Sequence, residues 1–264
     1  MLINETFKLE FLSLARHRGE AEKVGFRFGD KGTHTSRTMM LTELSALLAV
    51  TTPNAAREDY ARAIIDGNCL GKTTISTRRL TNQRLGELYG LDPKYPIFRV
   101  LRRLWTVDEP GRPLLALLVA MARDPLLAAT APSIISLLVG MELHREPVKT
   151  ALRSVVGERL NEDVINKVVR NVASTWAQSG HLEGRTFKKR RAVRATPATV
   201  ALALYLSHTV GFRGEGLLTS GWIMTLDCTP SLATELSLHA KRLGLIDLRM
   251  GAGVFELGFQ RLDP

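Results

Sequence analysis

One stretch of the chain is apolar on nearly every side of a helix, and this restricts the folds that the rest of the chain can adopt. Residues 114–122, LLALLVAMA, lie inside a predicted helix that covers residues 113–123. A helix without a polar face is stable in water only when other elements surround it. The run is far shorter than the ~20 residues that a membrane-spanning helix needs. We therefore predict a globular protein with this helix buried inside it.

Helical periodicity dominates the chain from residue 38 onward, and strand signals are few. Thr196-Pro197 and Thr229-Pro230 each place a capping threonine before a proline at the first helical position. Alternation around Gly251-Ala252-Gly253 predicts a hairpin at 245–259, and a second candidate hairpin follows Gly180. The predicted fold class is mainly α, a multi-helix bundle with winged-helix-type units and short β-hairpins. The predicted helices cover residues 38–50, 54–66, 74–90, 95–106, 113–123, 133–139, 146–156, 162–179, 197–210 and 230–242.

These patterns divide the chain into four segments. Residues 1–37 mix basic, acidic and glycine residues without a period, and we interpret them as an N-terminal arm. Residues 38–130 are predicted to form a helical domain with a helix-turn-helix-like unit, and residues 131–195 a helical unit that ends in a basic wing. Residues 196–264 have winged-helix form too, but their charges cancel, so a structural or protein-contact role is expected.

The chain is strongly basic. Lysine and arginine together number 36 against 26 acidic residues, which gives a net charge of +10 and a pI near 10. Such an excess favours a polyanionic partner, either nucleic acid or an acidic membrane surface. The alternative is a basic protein with a solvated positive face. The position of the charges along the chain distinguishes these interpretations.

The stretch GNCLGKTT, residues 67–74, looks like a phosphate-binding loop of an ATPase but lacks its spacing. Such a loop needs a glycine at position 66, where this chain has Asp66, and it needs a preceding buried strand. The stretch instead joins a helix to a basic helix, whose first backbone N–H groups could hold a nucleic-acid phosphate. An ordinary capped connection is the alternative. The candidate nucleic-acid contacts here are Lys72, Arg78, Arg79, Asn82, Gln83, Arg99, Arg102 and Arg103.

A second basic concentration follows a helix with a polar outer face. The predicted helix 162–179 turns Lys167, Arg170, Asn171 and Ser174 outward, and these side chains can donate to phosphates or base edges. Gly180 ends the helix, and the basic residues Arg185, Lys188, Lys189, Arg190, Arg191 and Arg194 follow without an acid among them. This pattern is typical of a winged helix on duplex DNA. A solvated helix followed by a flexible basic loop is the alternative.

Signals for catalysis or metal binding are weak. The six histidines have no metal-ligand spacing, Cys69 and Cys228 lack the partners of a zinc site, and the acidic residues form no magnesium-binding cluster. No secretory signal is apparent at the start of the chain. We expect a cytoplasmic protein without catalytic residues, metal, cofactor or small-molecule substrate, and without membrane association.

Several of these segments resemble the BrxA-type accessory proteins of BREX phage-defence systems. The resemblance lies in NCLGKTTISTRRLTNQRL, RRLW, ARDPLL and WAQSGHLEGR, and it covers residues 38–195. It implies a helical protein with winged-helix and NusB-like helical-bundle character. It also implies binding of double-stranded DNA in a bacterial defence complex, possible contacts with other defence-system proteins, and no chemistry of its own. The N-terminal arm and the long C-terminal unit depart from the shorter members.

The residues and the resemblance lead to one hypothesis and three alternatives. The hypothesis is a non-enzymatic accessory protein that binds double-stranded DNA. An RNA-binding helical protein is an alternative, although only 6% of residues are aromatic and few could stack on splayed bases. A protein-interaction scaffold that is merely basic is another alternative, and a weak nuclease or NTPase is the last.

Overall fold

A computed structural model describes residues 17–251 and 254–264 and is mainly helical. Twelve α-helices lie within this part of the chain, in accord with the predicted helical bundle. They are α1 (Arg18–Val24), α2 (Leu41–Val50), α3 (Arg57–Ile65), α4 (Ile75–Tyr89), α5 (Pro96–Val107), α6 (Arg112–Arg123), α7 (Pro125–Ile135), α8 (Arg145–Val156), α9 (Glu162–Gln178), α10 (Pro197–Thr209), α11 (Gly221–Met224) and α12 (Pro230–Arg242). Two short antiparallel hairpins, β1 (Leu182–Glu183) with β2 (Lys189–Arg190) and β3 (Asp247–Gly251) with β4 (Val254–Gly258), confirm the predicted strands.

Helix α6 lies at the centre of the core, as its apolar sequence predicts. Every residue from Leu114 to Arg123 is buried, and α6 packs against α4, α5, α7, α9 and α10. Helix α10 is buried over most of its length in the same way. Burying two such helices removes a large apolar area from water, which is the main stabilising contribution to this fold.

One predicted helix is wrong. Residues 133–139 were expected to form a helix, but α7 runs from Pro125 to Ile135 and the chain leaves helical geometry at residue 136. The helix begins where it does because Asp124 accepts hydrogen bonds from the backbone N–H groups of Leu126 and Leu127. Pro132, which would ordinarily end a helix, lies inside its last turn.

The described part of the predicted N-terminal arm belongs to the core. Ala21, Phe26 and His34 are buried, and the 3₁₀ helix Thr33–Thr35 packs against α9. The arm interpretation is therefore wrong for residues 17–37, and its first sixteen residues lie outside the described part. The sequence of this segment has no clear hydrophobic period, and the helix α9 on which residues 33–35 pack is distant in the chain.

Residues 140–143 lie along the edge of the β1–β2 ribbon and form one bridge with β2. Glu142 pairs with Lys189, and the Leu143 backbone N–H donates to the Lys188 carbonyl over 2.8 Å. On its other side β2 pairs with β1, so the order is 140–143, β2, β1. This ribbon fixes the turn at 184–188, which we call the wing, beside the outer face of α9.

Candidate nucleic-acid interface

A basic groove of about 410 Å³ lies between α9, the wing and the beginning of α8. Leu143, Val169 and Ala173 form its apolar floor. Its polar lining consists of Arg145, Arg170, Ser174, Arg185, Thr186 and Lys188. The lining thus holds four cationic side chains and no carboxylate. We call this feature the basic groove.

The cations of the basic groove have no acidic partners within the described residues. Arg145, Arg170, Arg185 and Lys188 form no ion pair there, whereas seventeen pairs of lysine or arginine with a carboxylate occur elsewhere in the described residues. Like charges held close together repel one another, and a groove walled by protein concentrates their field. The arrangement therefore attracts an anion that can contact several of them together.

Helix α9 is oriented by contacts at its first turn. The Asn161 side chain accepts a hydrogen bond from the Val164 N–H over 2.9 Å, which caps the helix. Glu162 forms ion pairs with Lys149 at 2.6 Å and Arg153 at 3.0 Å, and its pKa is lowered mainly by the hydrogen bond from Lys149. These pairs join the start of α9 to α8.

The outer face of α9 carries hydrogen-bond donors at helical spacing. Lys167 and Arg170 are exposed and Ser174 is half-buried, and their positions i, i+3 and i+7 lie on one side of the helix. The opposite, inner side buries Ile165, Val172 and other apolar residues. The helix therefore presents a narrow polar strip beside the wing.

The wing is a tight turn with a fixed tip. Gly184 has a φ of +102°, and a Cβ atom there would clash with the Phe187 carbonyl oxygen. The Lys188 ammonium donates to the Gly184 carbonyl over 3.1 Å across the turn. Arg185 and Thr186 are thereby held against the groove while both remain exposed.

Two predicted contact residues are buried and cannot reach a ligand. Arg190 is 3% exposed and forms an ion pair with Asp227, and Arg102 is 5% exposed and donates to the Thr51 carbonyl. The prediction that these two residues contact nucleic acid is therefore wrong. Asp227 and Thr51, the residues that engage them, lie 37 and 51 positions away in the sequence, so no local pattern shows these contacts. Helical periodicity identifies the outer side of a helix but not the loop that covers it.

Around the GNCLGKTT stretch, most of the side chains that were predicted to contact nucleic acid form hydrogen bonds or ion pairs within the protein. Lys72 pairs with Glu43 at 3.0 Å, and its backbone N–H donates to the Asn68 side chain. Arg78 donates to the carbonyls of Ile65 and Lys72. The stretch is therefore a capped connection, and the prediction that its amide groups hold a phosphate is wrong for Lys72.

Three further predicted residues are engaged by contacts within the protein. Arg99 forms a two-point ion pair with Asp263 at 2.7 and 2.9 Å. Gln83 donates to Glu87 over 2.9 Å. Asn171, predicted to face a DNA groove, donates instead to the His34 carbonyl over 2.8 Å, because the segment 33–41 covers that side of α9.

The other residues that were predicted to contact nucleic acid lie in the basic groove, on or after β2, and on α4 and α5. Arg170, Ser174, Arg185 and Lys188 meet in the basic groove, and Lys167 lies on the same strip of α9. Lys189, Arg191 and Arg194 are exposed on or after β2, and Arg191 lies 3.8 Å from Glu183. Arg79, Asn82 and Arg103 lie on α4 and α5, outside the groove.

Arg145 is the groove residue that the sequence analysis missed. It is the first residue of α8 and closely follows residues 140–143, which form the bridge with β2. Nothing in its neighbourhood in the sequence marks it, because its two neighbours His144 and Glu146 form no basic cluster with it. Only the pairing of residues 140–143 with β2 brings it to the wing.

His181 joins the end of α9 to the wing and is buried as a neutral ring. Its Nδ1 atom lies 2.8 Å from the Ser179 hydroxyl, and its Nε2 atom lies 2.7 Å from the Thr225 carbonyl oxygen. A proton on Nε2 therefore donates to Thr225, and Nδ1 accepts from Ser179. Burial lowers the pKa of His181 to about 4.

We expect His181 to make the protein less stable as the pH falls from about 6.5 to 4. In this range the unfolded chain binds a proton on this ring and the folded chain does not, so stability rises with pH. From the cited pKa the contribution lost at pH 4 is about 3 kcal/mol. Urea unfolding of the wild type and of His181→Gln at several pH values measures it. A difference between the two proteins that does not change with pH would contradict this assignment.

No protein-family model matches the chain, and no curated protein matches it. None of the helices in residues 17–251 and 254–264 is long and apolar enough to cross a membrane. The same residues contain no group of three or more histidine, cysteine or acidic side chains that could hold a metal ion.

Proposed function

We propose that this protein binds double-stranded DNA without catalysing a reaction, and that the basic groove is the contact surface. The observation that carries the proposal is the set of four cations, Arg145, Arg170, Arg185 and Lys188, around one groove without a carboxylate. Duplex DNA carries one negative charge per roughly 1.7 Å of its axis, so a row of such cations contacts several phosphates together.

The order of elements around the groove supports a winged-helix mode of binding. Helix α7, residues 140–143, helices α8 and α9, and the β1–wing–β2 hairpin follow one another along the chain. In helix-turn-helix proteins the second helix of the pair enters the major groove. We propose that α9 enters the major groove with Lys167, Arg170 and Ser174, while the wing contacts the adjacent backbone.

Duplex DNA fits this surface better than single-stranded RNA does. Sequence-specific RNA recognition relies on aromatic side chains on which splayed bases stack. Among the described residues, the large apolar side chains that are exposed include one aromatic residue, Phe187. A helix of about 10–12 Å diameter matches the width of roughly 12 Å of the major groove of B-DNA.

The proposal predicts binding that weakens steeply with salt. If four cations each neutralise one phosphate, the slope of log affinity against log salt is about −3.6. Raising the salt from about 50 to about 200 mM should then weaken binding about 150-fold. A gel-shift titration with a random duplex of about 20 base pairs measures the slope, with a structured RNA of equal length as competitor. A slope near zero, or preferential displacement by the RNA, would refute duplex binding through this groove.

A role in phage defence is proposed from the resemblance to BrxA-type accessory proteins. That role requires protein partners, and the C-terminal unit, which exposes single apolar residues such as Leu232 and Leu238 outside the basic groove, is where we propose that they bind. Plaque counts on a host that carries the protein with its neighbouring genes test the role. A groove variant that binds no DNA but protects the host fully would separate defence from DNA binding.

A further inference from the structure

Phe187 occupies an unusual place for an aromatic side chain. It lies at the wing tip and is 66% exposed, so most of its ring is in contact with water. It does not line the basic groove, although its neighbours Thr186 and Lys188 do. Single exposed apolar residues are common on protein surfaces and need no explanation by themselves. The surroundings of Phe187 distinguish it.

The ring of Phe187 is surrounded in sequence by cations. Arg185 precedes it by two residues, Lys188 and Lys189 follow it directly, and residues 184–194 contain no carboxylate. An apolar side chain between cations is suited to a partner whose anionic rim encloses an apolar interior. The minor groove of DNA has this character, because phosphates line both of its edges and stacked bases lie between them.

The backbone of the wing holds Phe187 in place before any partner binds. The Glu183–Lys189 pair closes the hairpin, and the Lys188 ammonium bonds the Gly184 carbonyl. The Phe187 carbonyl lies so close to Gly184 that the position excludes any side chain. Little conformational entropy is therefore lost when the tip binds, and more of the contact energy contributes to affinity.

We propose that Phe187 is an apolar wedge that enters the minor groove beside α9 and partly unstacks one base step. This inference rests on the proposed binding of duplex DNA and adds a deformation of the duplex to it. Inserted apolar side chains of this kind kink DNA by roughly 20–90° toward the major groove. The preferred sites are then duplexes with pyrimidine–purine steps, TA or CA, because these steps unstack at the lowest free-energy cost.

The test uses full-length protein and two duplexes that differ in one central step, TA in one and an A-tract in the other. Each duplex carries 2-aminopurine at that step and a dye pair at its ends. Wild-type protein should raise the 2-aminopurine fluorescence and shorten the end-to-end distance of the TA duplex. Phe187→Ala should lose both signals and bind about 10-fold more weakly, with an unchanged salt slope.

Two control variants make the readout specific. Phe187→Leu keeps an apolar wedge and should retain part of the bend, and Val107→Ala removes another exposed apolar side chain and should change nothing. If Phe187→Ala bends and unstacks the duplex as the wild type does, the wedge is refuted while the DNA-binding function stands. If the wild type binds no duplex at all, both proposals fail together.

An anionic lipid surface is the other polyanion that an apolar ring among cations would suit. Binding of the wild type and of Phe187→Ala to vesicles with about one-third phosphatidylserine tests this alternative. Binding of the wild type to vesicles that Phe187→Ala abolishes, together with unchanged DNA bending, would overturn the wedge in favour of membrane contact. Loss of DNA bending in Phe187→Ala without vesicle binding by the wild type supports the wedge.

Discussion

Replacing Arg170, Arg185 and Lys188 together with glutamate is expected to abolish duplex binding at physiological salt. The three positions lie on the two walls of the basic groove, so the change reverses the sign of its field. Each lost phosphate contact removes counterion release, and each new carboxylate repels the duplex. We expect a loss of at least about 1,000-fold in affinity near 100 mM salt, and a salt slope no steeper than about −0.9, the value for Arg145 alone. Fluorescence anisotropy with a labelled duplex measures both.

The C-terminal unit supplies a matched control with the same change in net charge. Lys241, Arg242 and Arg249 are exposed on α12 and β3, outside the basic groove. Replacing all three with glutamate should leave the salt slope near its wild-type value and weaken binding about 3-fold or less through the long-range field. Equal losses in the two triple variants would mean that total charge, and not the groove, determines binding.

Charge reversal of the whole basic stretch 188–191 would include Arg190, which is buried and lies outside the groove lining. Replacing Arg190 with glutamate places a buried carboxylate beside the half-buried Asp227, which destabilises the fold. Loss of DNA binding in such a variant would then report unfolding. The basic stretch identifies the region of the groove correctly, but only the fold distinguishes the cations that face solvent from the one that faces Asp227.

The elements that the sequence predicts well are those whose signals are local. Capping threonines, the prolines at helix starts and the apolar sequence of α6 act within a few residues, and all of them appear in the structure. The hairpin around residue 252 has the same origin. On α9, Arg170 and Ser174 line the groove, whereas Asn171 contacts His34, since residues 33–41 cover that side.

Among the carboxylates of the described residues, Asp124 is the one whose replacement is expected to lower the free energy of unfolding most. One of its oxygens accepts hydrogen bonds from the His34 backbone N–H at 3.0 Å and from His34 Nδ1 at 2.8 Å. The other oxygen caps α7. Burial alone would raise the pKa of Asp124, but the charge and hydrogen bonds of His34 outweigh burial and hold it below its ordinary value.

Thr175 extends this network to α9. Its hydroxyl lies 2.8 Å from His34 Nε2 and accepts a hydrogen bond from the Met39 N–H at 2.9 Å. His34 Nδ1 donates its proton to Asp124, and Nε2 on the other side of the ring contacts the Thr175 hydroxyl. The network joins segment 33–39 to the junction between α6 and α7 and to α9, which carries the groove. A carboxylate at residue 124 thus contributes to the position of α9.

Asp124→Ala is expected to lower the free energy of unfolding by about 3–5 kcal/mol, because it leaves buried donors unpaired and removes a helix cap. Urea unfolding followed by circular dichroism measures the change, and Glu158→Ala, which removes an exposed carboxylate, should not move the midpoint. Asp124→Asn keeps the shape but turns an amide N–H toward the His34 donors, so it should also destabilise the protein.

The lowered pKa of Asp124 predicts how this loss of stability depends on pH. The stability that ionised Asp124 contributes is present above pH about 4 and disappears below it, so the wild type and Asp124→Asn should converge in acid. A constant gap between them down to pH 2 would show that the carboxylate charge contributes nothing and that shape alone stabilises this junction.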